Sequence, residues 1–556
     1  MDNVQIADSL SLLSKLMDIH GENSFKSKSY ASAAFALERL AVPASELSID
    51  KLAAIKGIGQ SSAQKIREMA DSGKLQILES LISQTPPGVI DMLQIKGIGP
   101  KKIHSIWKEM GIETVGELLY ACQENRLKMY KGFGEKTQQN VMESIRFYQQ
   151  HEHQQLYAQA EPLVPVFQSF LVKCFPGTGI LLTGAMARQM ETIETLDFII
   201  QLPASHIRKV IDLVPEFQYV ADSANPMLYK TGMGITLGLY CLEAGESFIA
   251  SHIQHSSSEL FWNTLTENYP IPGDNVNNEE AFFAKLSMQH IPAAARESVE
   301  ALKLAAAGKF PELITEKDIR GIIHSHSNWS DGSQSLEEMA RTAMAEGYEY
   351  LVISDHSQSA FYANGLNADR IREQHKQIDE LNKALQPFRI FKSIEADILN
   401  DGSLDYPDEI LASFDLVIAS VHSNLKMTEE KAMMRLLKAI ENPYTRILGH
   451  ITGRLLLSRP GYPVNHERII DACAANDVVI ELNANPNRLD IDWRHIAYAL
   501  EKNVLISINP DAHHTDGFHD NAYGVRVAQK ALLKKERNLS SFSLEAFTAF
   551  VEKRKR

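Results

Sequence analysis

Cysteine is scarce in this sequence: Cys122, Cys174, Cys241 and Cys473 are scattered over 556 positions. Their spacing fits neither a zinc ribbon nor a disulfide framework, so buried thiols in a reducing compartment are expected. Long apolar runs are also missing, since none approaches the roughly 18 residues that cross a bilayer. The opening MDNVQIADSL has neither the basic nor the apolar region of an export signal. These gaps point to a cytoplasmic chain without membrane contact. A surplus of positive charge is absent too. The net charge of -14 is the opposite of a general nucleic-acid-binding surface. Lys/Arg and Asp/Glu nearly balance over the first 150 residues, however, and bound cations would offset part of the acidic excess elsewhere.

The length exceeds what one hydrophobic core fills, so several domains are expected. The first 150 residues show helical periodicity broken by glycine turns, and three segments repeat one design. They are IKGIGQSSAQKI (Ile55 to Ile66), IKGIGPKKIHSI (Ile95 to Ile106) and YKGFGEKTQQNV (Tyr130 to Val141). In each, an apolar residue stands between two glycines (Gly57 and Gly59, Gly97 and Gly99, Gly132 and Gly134), and a helix is expected to open at once. Glycine leaves backbone N–H groups at a helix start unobstructed, which suits a phosphate oxygen. The repeats, each with a lysine before the first glycine (Lys56, Lys96, Lys131), resemble the helix-hairpin-helix clamp on a DNA backbone. Such contacts hold phosphates without reading bases, so binding should tolerate any sequence and weaken with salt.

Beyond about residue 160 strand-like runs appear, and a mixed α/β segment continues to about residue 315. From Ile319 short buried runs alternate with helical segments: IRGIIHSH, YLVISDH, LVIASVH, RILGH, VVIELN and VLISINPDAH. This is the rhythm of a parallel barrel, whose chemistry gathers at the C-terminal ends of its strands. Those ends carry His324, His326, Asp331, Asp355, His356, Glu395, His422, His450, Asp511 and His513. Alternation along a strand predicts that His324 and His326 share a face, and likewise Asp511 and His513. Imidazole with carboxylate suits Zn, Mn or Fe, and ions a few ångströms apart can generate hydroxide and receive a leaving oxygen in phosphoester hydrolysis. His466, His495, His514 and His519 have no such placement and are read as surface or supporting residues.

The motifs HSHSNWSDG, SDHS, EADIL, SVHSN, GH and PDAHH resemble those of the PHP (polymerase and histidinol phosphatase) domain. That resemblance implies a distorted (β/α)7 barrel holding up to three divalent ions, Mn, Zn or Fe. By it, His324, His326, Glu395 and Asp511 would hold one ion, Glu395, His422 and His450 a second, and Asp331, His356 and His513 the third. Arg454, Arg459 and Arg488, near the motif ends, are candidates for substrate phosphate.

The order of modules also resembles bacterial family X DNA polymerases over essentially the whole chain. IHGENSFKSKSYASAAFALERL, HIPAAARE and GKFPELITEKDIRG carry that likeness. It implies a multidomain α plus α/β architecture. Residues 1–85 would be a helical lyase-like domain, 86–150 fingers, 151–245 a degenerate palm, 246–315 a thumb and 316–556 the PHP domain.

The palm departs from the family pattern in GAMARQMETIETLDFII, Gly184 to Ile200. Ala185 stands at a Ser position, Ala187 at an Arg, Met190 at a Lys, Glu194 at a Gly and Thr195 at the first Asp; only Arg188 and Asp197 match. The third carboxylate should fall near Gly238, in a run without Asp or Glu. Two-metal nucleotidyl transfer needs several anionic ligands, so loss of synthesis is expected. Lys65 matches the family's Schiff-base lyase lysine, although a solvated helix lysine is the simpler reading.

The expectation is therefore a DNA-binding, metal-dependent phosphodiesterase. It would act as a 3'-5' exonuclease or an end- or abasic-site-processing enzyme on gapped, nicked or recessed DNA. The alternatives are a small-molecule phosphatase of histidinol-phosphatase type and a noncatalytic DNA-binding scaffold.

Overall fold

A computed structural model describes residues 3–37, 40, 42–95, 97–149, 154–220, 225–243, 245–273 and 276–553. The chain forms two compact units. Met1–Gln123 with Leu127–Tyr148 make the first, and Glu124–Arg126 with Gln149–Arg556 make the second.

The described residues of the first unit form helices and connecting turns. Helix Asn3–His20 buries Ile6, Leu10, Leu13 and Met17, which recur every three or four residues and so form one stripe. The same core takes in Ile58, Ile98 and Phe133, the apolar residues flanked by glycines. The first glycine of each turn is left-handed, with φ of +99° at Gly57, +92° at Gly97 and +93° at Gly132. A side chain with a Cβ is costly there, which explains the glycine. Gly59 and Gly99 then cap helices Gln60–Ser72 and Pro100–His104, and Gly134 precedes Glu135–Gln149. A Cβ at Gly59, Gly97, Gly99, Gly132 or Gly134 would meet nothing within 4 Å, so each turn presents bare backbone. Lys96 lies outside the described residues.

The second unit begins with a five-stranded sheet in the spatial order Ile180–Leu182, Thr195–Ile200, Thr236–Cys241, Met227–Thr231 and Phe217–Tyr219. Helices between Phe248 and Ala306 follow, around Ile253, Phe261, Phe282 and Phe283. Seven parallel strands then line up in chain order: Gly321–Ser325, Tyr350–Ile353, Arg389–Asp397, Leu416–Ser420, Thr445–Leu448, Val479–Asn483 and Ile506–Asn509. A bridge between Ser325 and Ala512 nearly closes them into the barrel that the PHP resemblance implies.

Both faces of these strands are covered, which is why they read as unbroken apolar runs. Alternation still separates the faces. Tyr350, Val352, Phe391, Ile418, Ile447 and Val479 join one core cluster, whereas Leu351, Ile353 and Ile390 join another. Phe547, from helix Leu544–Glu552, stacks on Tyr350 within the first cluster, with ring centroids 4.4 Å apart. Two and four residues beyond Phe391, on its face, come Ser393 and Glu395; two beyond Val479 comes Glu481. The inner face thus changes from apolar to polar toward the strands' C-terminal ends.

Cys122, Cys241 and Cys473 are buried, whereas Cys174 is half-exposed where it ends the helix Val164–Cys174. Among the described residues, no helix is long and apolar enough to cross a membrane.

Candidate metal centre

The seven strands deliver their polar residues to one place. Glu395, on the third strand, is the hub. Its Oε1 lies 3.0 Å from His450 Nε2, 3.1 Å from His422 Nε2 and 3.3 Å from His324 Nε2. Its Oε2 lies 3.0 Å from His356 Nδ1 and 3.7 Å from His326 Nε2. Asp511 Oδ1 approaches His326 Nε2 at 3.0 Å and His324 Nε2 at 3.4 Å. Asp331 faces His513 Nε2 at 3.5 Å and His356 Nε2 at 3.6 Å. All nine residues that the PHP resemblance assigns to the ions therefore meet, although they come from distant points of the chain.

The route by which His324 and His326 meet is not simple alternation. His324 has φ +63°, and the pairing of the first two strands slips between Ile322 and Ser325. The strand ends in a bulge, which re-aims both rings toward the same carboxylates. Asp511 is likewise left-handed, at φ +53°. Ala512 donates to the His324 carbonyl at 3.3 Å, and His326 N–H donates to the Ala512 carbonyl at 2.8 Å. The left-handed His324 is thus tied to the residue that follows the left-handed Asp511 where the barrel closes, and strain of this kind persists only when its surroundings fix it.

Charge is heavily perturbed in this pocket. Burial works against the ionised forms, yet the imidazoles of His422, His324 and His356 hold Glu395 well below the usual carboxylate range. Asp511 is held down in the same way by His324 and His326. Burial also opposes charge on His324, but Glu481, Asp511 and Glu395 hold it well above the ordinary histidine value. His326 goes the other way, down to about 3, through burial and the neighbouring His513 and His356.

Several buried polar atoms here have no aligned hydrogen-bond partner: His324 Nε2, His326 Nδ1, Asp331 Oδ2, His356 Nδ1, His450 Nδ1 and His513 Nε2. Burying such atoms unpaired costs about 1–3 kcal/mol each, and a cation would satisfy the imidazole lone pairs and the carboxylates together. Candidate ligand atoms fall within 4.8 Å of one another in His326, Asp331, His356 and His513, in His324, His326 and Asp511, and in His356, Glu395 and His422. The donor set of imidazole nitrogens and carboxylate oxygens fits divalent transition ions.

Supporting residues complete the pocket. Glu481, wholly buried, accepts from His324 Nδ1 at 2.6 Å, the His450 N–H at 3.0 Å, Asn509 at 2.7 Å and Asn483 at 3.1 Å. With His324 Nδ1 donating to Glu481, Nε2 is left for a cation. Asp397 does the same for His422, at 2.6 Å. Asp355, raised by burial, accepts from the backbone and hydroxyls of Ser327 and Ser330 and from Gln374, pinning the loop that carries Asp331. Sequence reasoning passes over Glu481 and Asp397. Glu481 is visible as the one charge in the apolar run VVIELN, but nothing local says what it touches.

The remaining candidates are placed as follows. Arg454 is engaged by Asp492 at 2.6 Å and by the carbonyls of Arg488 and Leu489. Arg459 donates to the Gly453 carbonyl at 2.9 Å, while Arg488 lies 3.8 Å from Asp511. His466 and His495 stack with ring centroids 3.7 Å apart, and His519 is exposed. Lys65 pairs with Glu68 at 2.7 Å along its own helix.

In the five-stranded sheet Asp197 lies opposite Gly238. Its carboxyl occupies the space that a side chain would need at Gly238 or Gly184, where a Cβ would fall 2.0 Å and 2.1 Å from its oxygens. Burial pushes Asp197 up to about 7 against one hydrogen bond from Thr195, and Glu194 is exposed. Arg188 is drawn to Glu297 at 2.8 Å, and its carbonyl accepts from the buried Lys530.

A parallel barrel with imidazoles and carboxylates packed at its strand ends is the architecture of a metal-binding hydrolase of the PHP class. Residues 1–75 match the model of a helix-hairpin-helix domain, and residues 89–146 match that of a SAM-like helix-hairpin-helix tandem. The DNA polymerase/3'-5' exonuclease PolX of Bacillus subtilis is 31% identical, over 98% of this chain and 98% of its own. A probable phosphatase of Caldanaerobacter subterraneus subsp. tengcongensis is 29% identical over 29% of this chain and 60% of its own. One of Acetivibrio thermocellus is 30% identical over 29% of this chain and 63% of its own. The chain belongs to the PolX family.

Proposed function

We propose that this is a cytoplasmic enzyme that binds DNA and hydrolyses its phosphodiester bonds at the barrel centre. It would work as a 3'-5' exonuclease or in processing ends and abasic sites, and would no longer extend a primer. The proposed domains are residues 1–85 (lyase-like), 86–150 (fingers-like), 151–245 (degenerate palm), 246–315 (thumb-like) and 316–556 (PHP). The observation that carries the reading is the convergence of nine ligand-type side chains, Glu395 among them, at the strand ends. Divalent ions bound there would supply an activated water and offset the charge that builds up on the phosphate.

The protein's own residues have distinct tasks in this reading. His324, His326, Asp331, His356, Glu395, His422, His450, Asp511 and His513 would hold the ions. Glu481 and Asp397 fix the tautomers of His324 and His422, so that Nε2 faces inward. Water oxygen bonds to phosphorus as the bond to the leaving O3' breaks, and the proton passes to that oxygen. Arg488, beside Asp511, is the best placed of the three arginines to meet a phosphate; Arg454 is already held by Asp492. The open glycine turns at Gly57–Gly59, Gly97–Gly99 and Gly132–Gly134 grip the DNA backbone on duplexes with gaps, nicks or recessed ends, whatever the sequence.

Loss of synthesis is supported by the palm. Asp197 faces Gly238 rather than a second carboxylate and is itself drawn toward the neutral acid.

The test is incubation of the full chain with Mn²⁺ and a 3'-recessed duplex, with and without nucleotides, beside a His324→Ala, His326→Ala double variant and a phosphomonoester. Shortening that the double variant loses is expected. Template-directed extension would refute the lost synthesis. Phosphate release from the monoester alone would favour the phosphatase reading that the probable phosphatases suggest.

A further inference from the structure

The segment Glu124–Arg126 belongs to the second unit and sits against the metal centre. Glu124 is only 6% exposed. Its Oε2 lies 2.8 Å from His513 Nε2, and Glu124, Asp511 and His513 offer ligand atoms within 4.8 Å of one another. The two residues that follow Glu124 anchor the segment. Asn125 Nδ2 donates to Ser333 Oγ at 2.7 Å, and the Arg126 guanidinium stands 4.4 Å over the ring of Tyr362. Tyr362 in turn packs edge-on to His356, at 6.3 Å between centroids.

An imidazole ring offers one lone pair. His513 Nδ1 lies 3.0 Å from the Asp511 carbonyl oxygen, so it carries the hydrogen and Nε2 is the nitrogen left for a cation. Once Nε2 binds an ion, it has no hydrogen to give to Glu124. A carboxylate buried to this extent cannot stay unpaired at small cost, and the group nearest to its oxygen is then the ion itself. We propose that Glu124 is a tenth protein ligand of the metal centre, binding the same divalent ion as His513. This rests on the reading of the barrel mouth as a metal site and adds a ligand from outside the barrel strands.

Calorimetric titration of the full chain with Mn²⁺, read for stoichiometry and affinity, tests it without reference to catalysis. Glu124→Gln preserves shape and removes the charge; Glu124→Asp keeps the charge and withdraws it by one methylene. Thermal melting of the metal-free proteins checks that both variants fold. The expected result is that one ion binds at least about tenfold more weakly, or is lost, in Glu124→Gln, with Glu124→Asp between it and the parent, since even indirect support of a ligand is worth about 10–100-fold. The proposal is overturned if Glu124→Gln binds the same number of ions with the parent's affinities. A parent that binds no Mn²⁺ would overturn both it and the metal-site reading, so the two failures are distinguishable.

Discussion

At the scale of single residues, the centre depends on groups that never touch substrate. Glu481 accepts four hydrogen bonds in a wholly buried setting, one of which sets the His324 tautomer. Glu481→Gln would put an amide N–H against donors, so divalent affinity should fall by about 10–100-fold with the fold retained; titration calorimetry reads this, and unchanged affinity would show that the ring needs no such support. Asp197 offers a pH test. Its pKa is raised from the usual carboxylate value to about 7, so the native protein favours the neutral acid. The stability this group allows is complete at pH values below its ordinary pKa. It declines as pH rises from about 4 to about 7, above which the buried charge carries its full cost. Asp197→Asn cannot ionise, so it should match the parent near pH 4 and exceed it near pH 8 by roughly 2–4 kcal/mol. Denaturant unfolding at the two pH values decides it; an equal difference at both would mean that Asp197 is ionised at little cost.

At the scale of elements, the turn between paired glycines is a repeated device with an electrostatic consequence. Lys56 and Lys131 are exposed beside open backbone. Replacing both with Ala should weaken duplex binding uniformly across sequences and lower the slope of log affinity against log salt by about 1–2, as fluorescence anisotropy would show. A slope that does not change would remove these turns from the DNA interface. The same elements show what was legible in the sequence. Each turn could be read because glycine spacing, a left-handed φ and the following helix are all local. The barrel strands could be read because double-sided burial leaves long apolar runs ending in polar residues. Strand alternation predicts that His324 and His326 meet but not how they do, because the bulge with φ +63° forms against the closing contact with Ala512, far along the chain. Glu124 has no local signal: it sits in the turn after the helix Val115–Gln123, and only folding brings it to His513.

At the scale of the whole molecule, the proposed family X modules surround a proposed palm that lacks most of the carboxylates the family resemblance implies. Supplying only one of them should not restore extension. Gly238→Asp would set a second carboxyl against Asp197, where a Cβ would fall 2.0 Å from its oxygen, so destabilisation without primer extension is expected. Robust template-directed extension by that variant would mean that two carboxylates suffice for the site to work. The barrel mouth is the part on which every functional statement depends, and anomalous scattering from crystals of the full chain grown with Mn²⁺ examines it most directly. Two or three peaks enclosed by Glu395, Asp511, Asp331 and the six histidines are expected. A pocket in which these side chains only bond one another, with no anomalous peak, would contradict it.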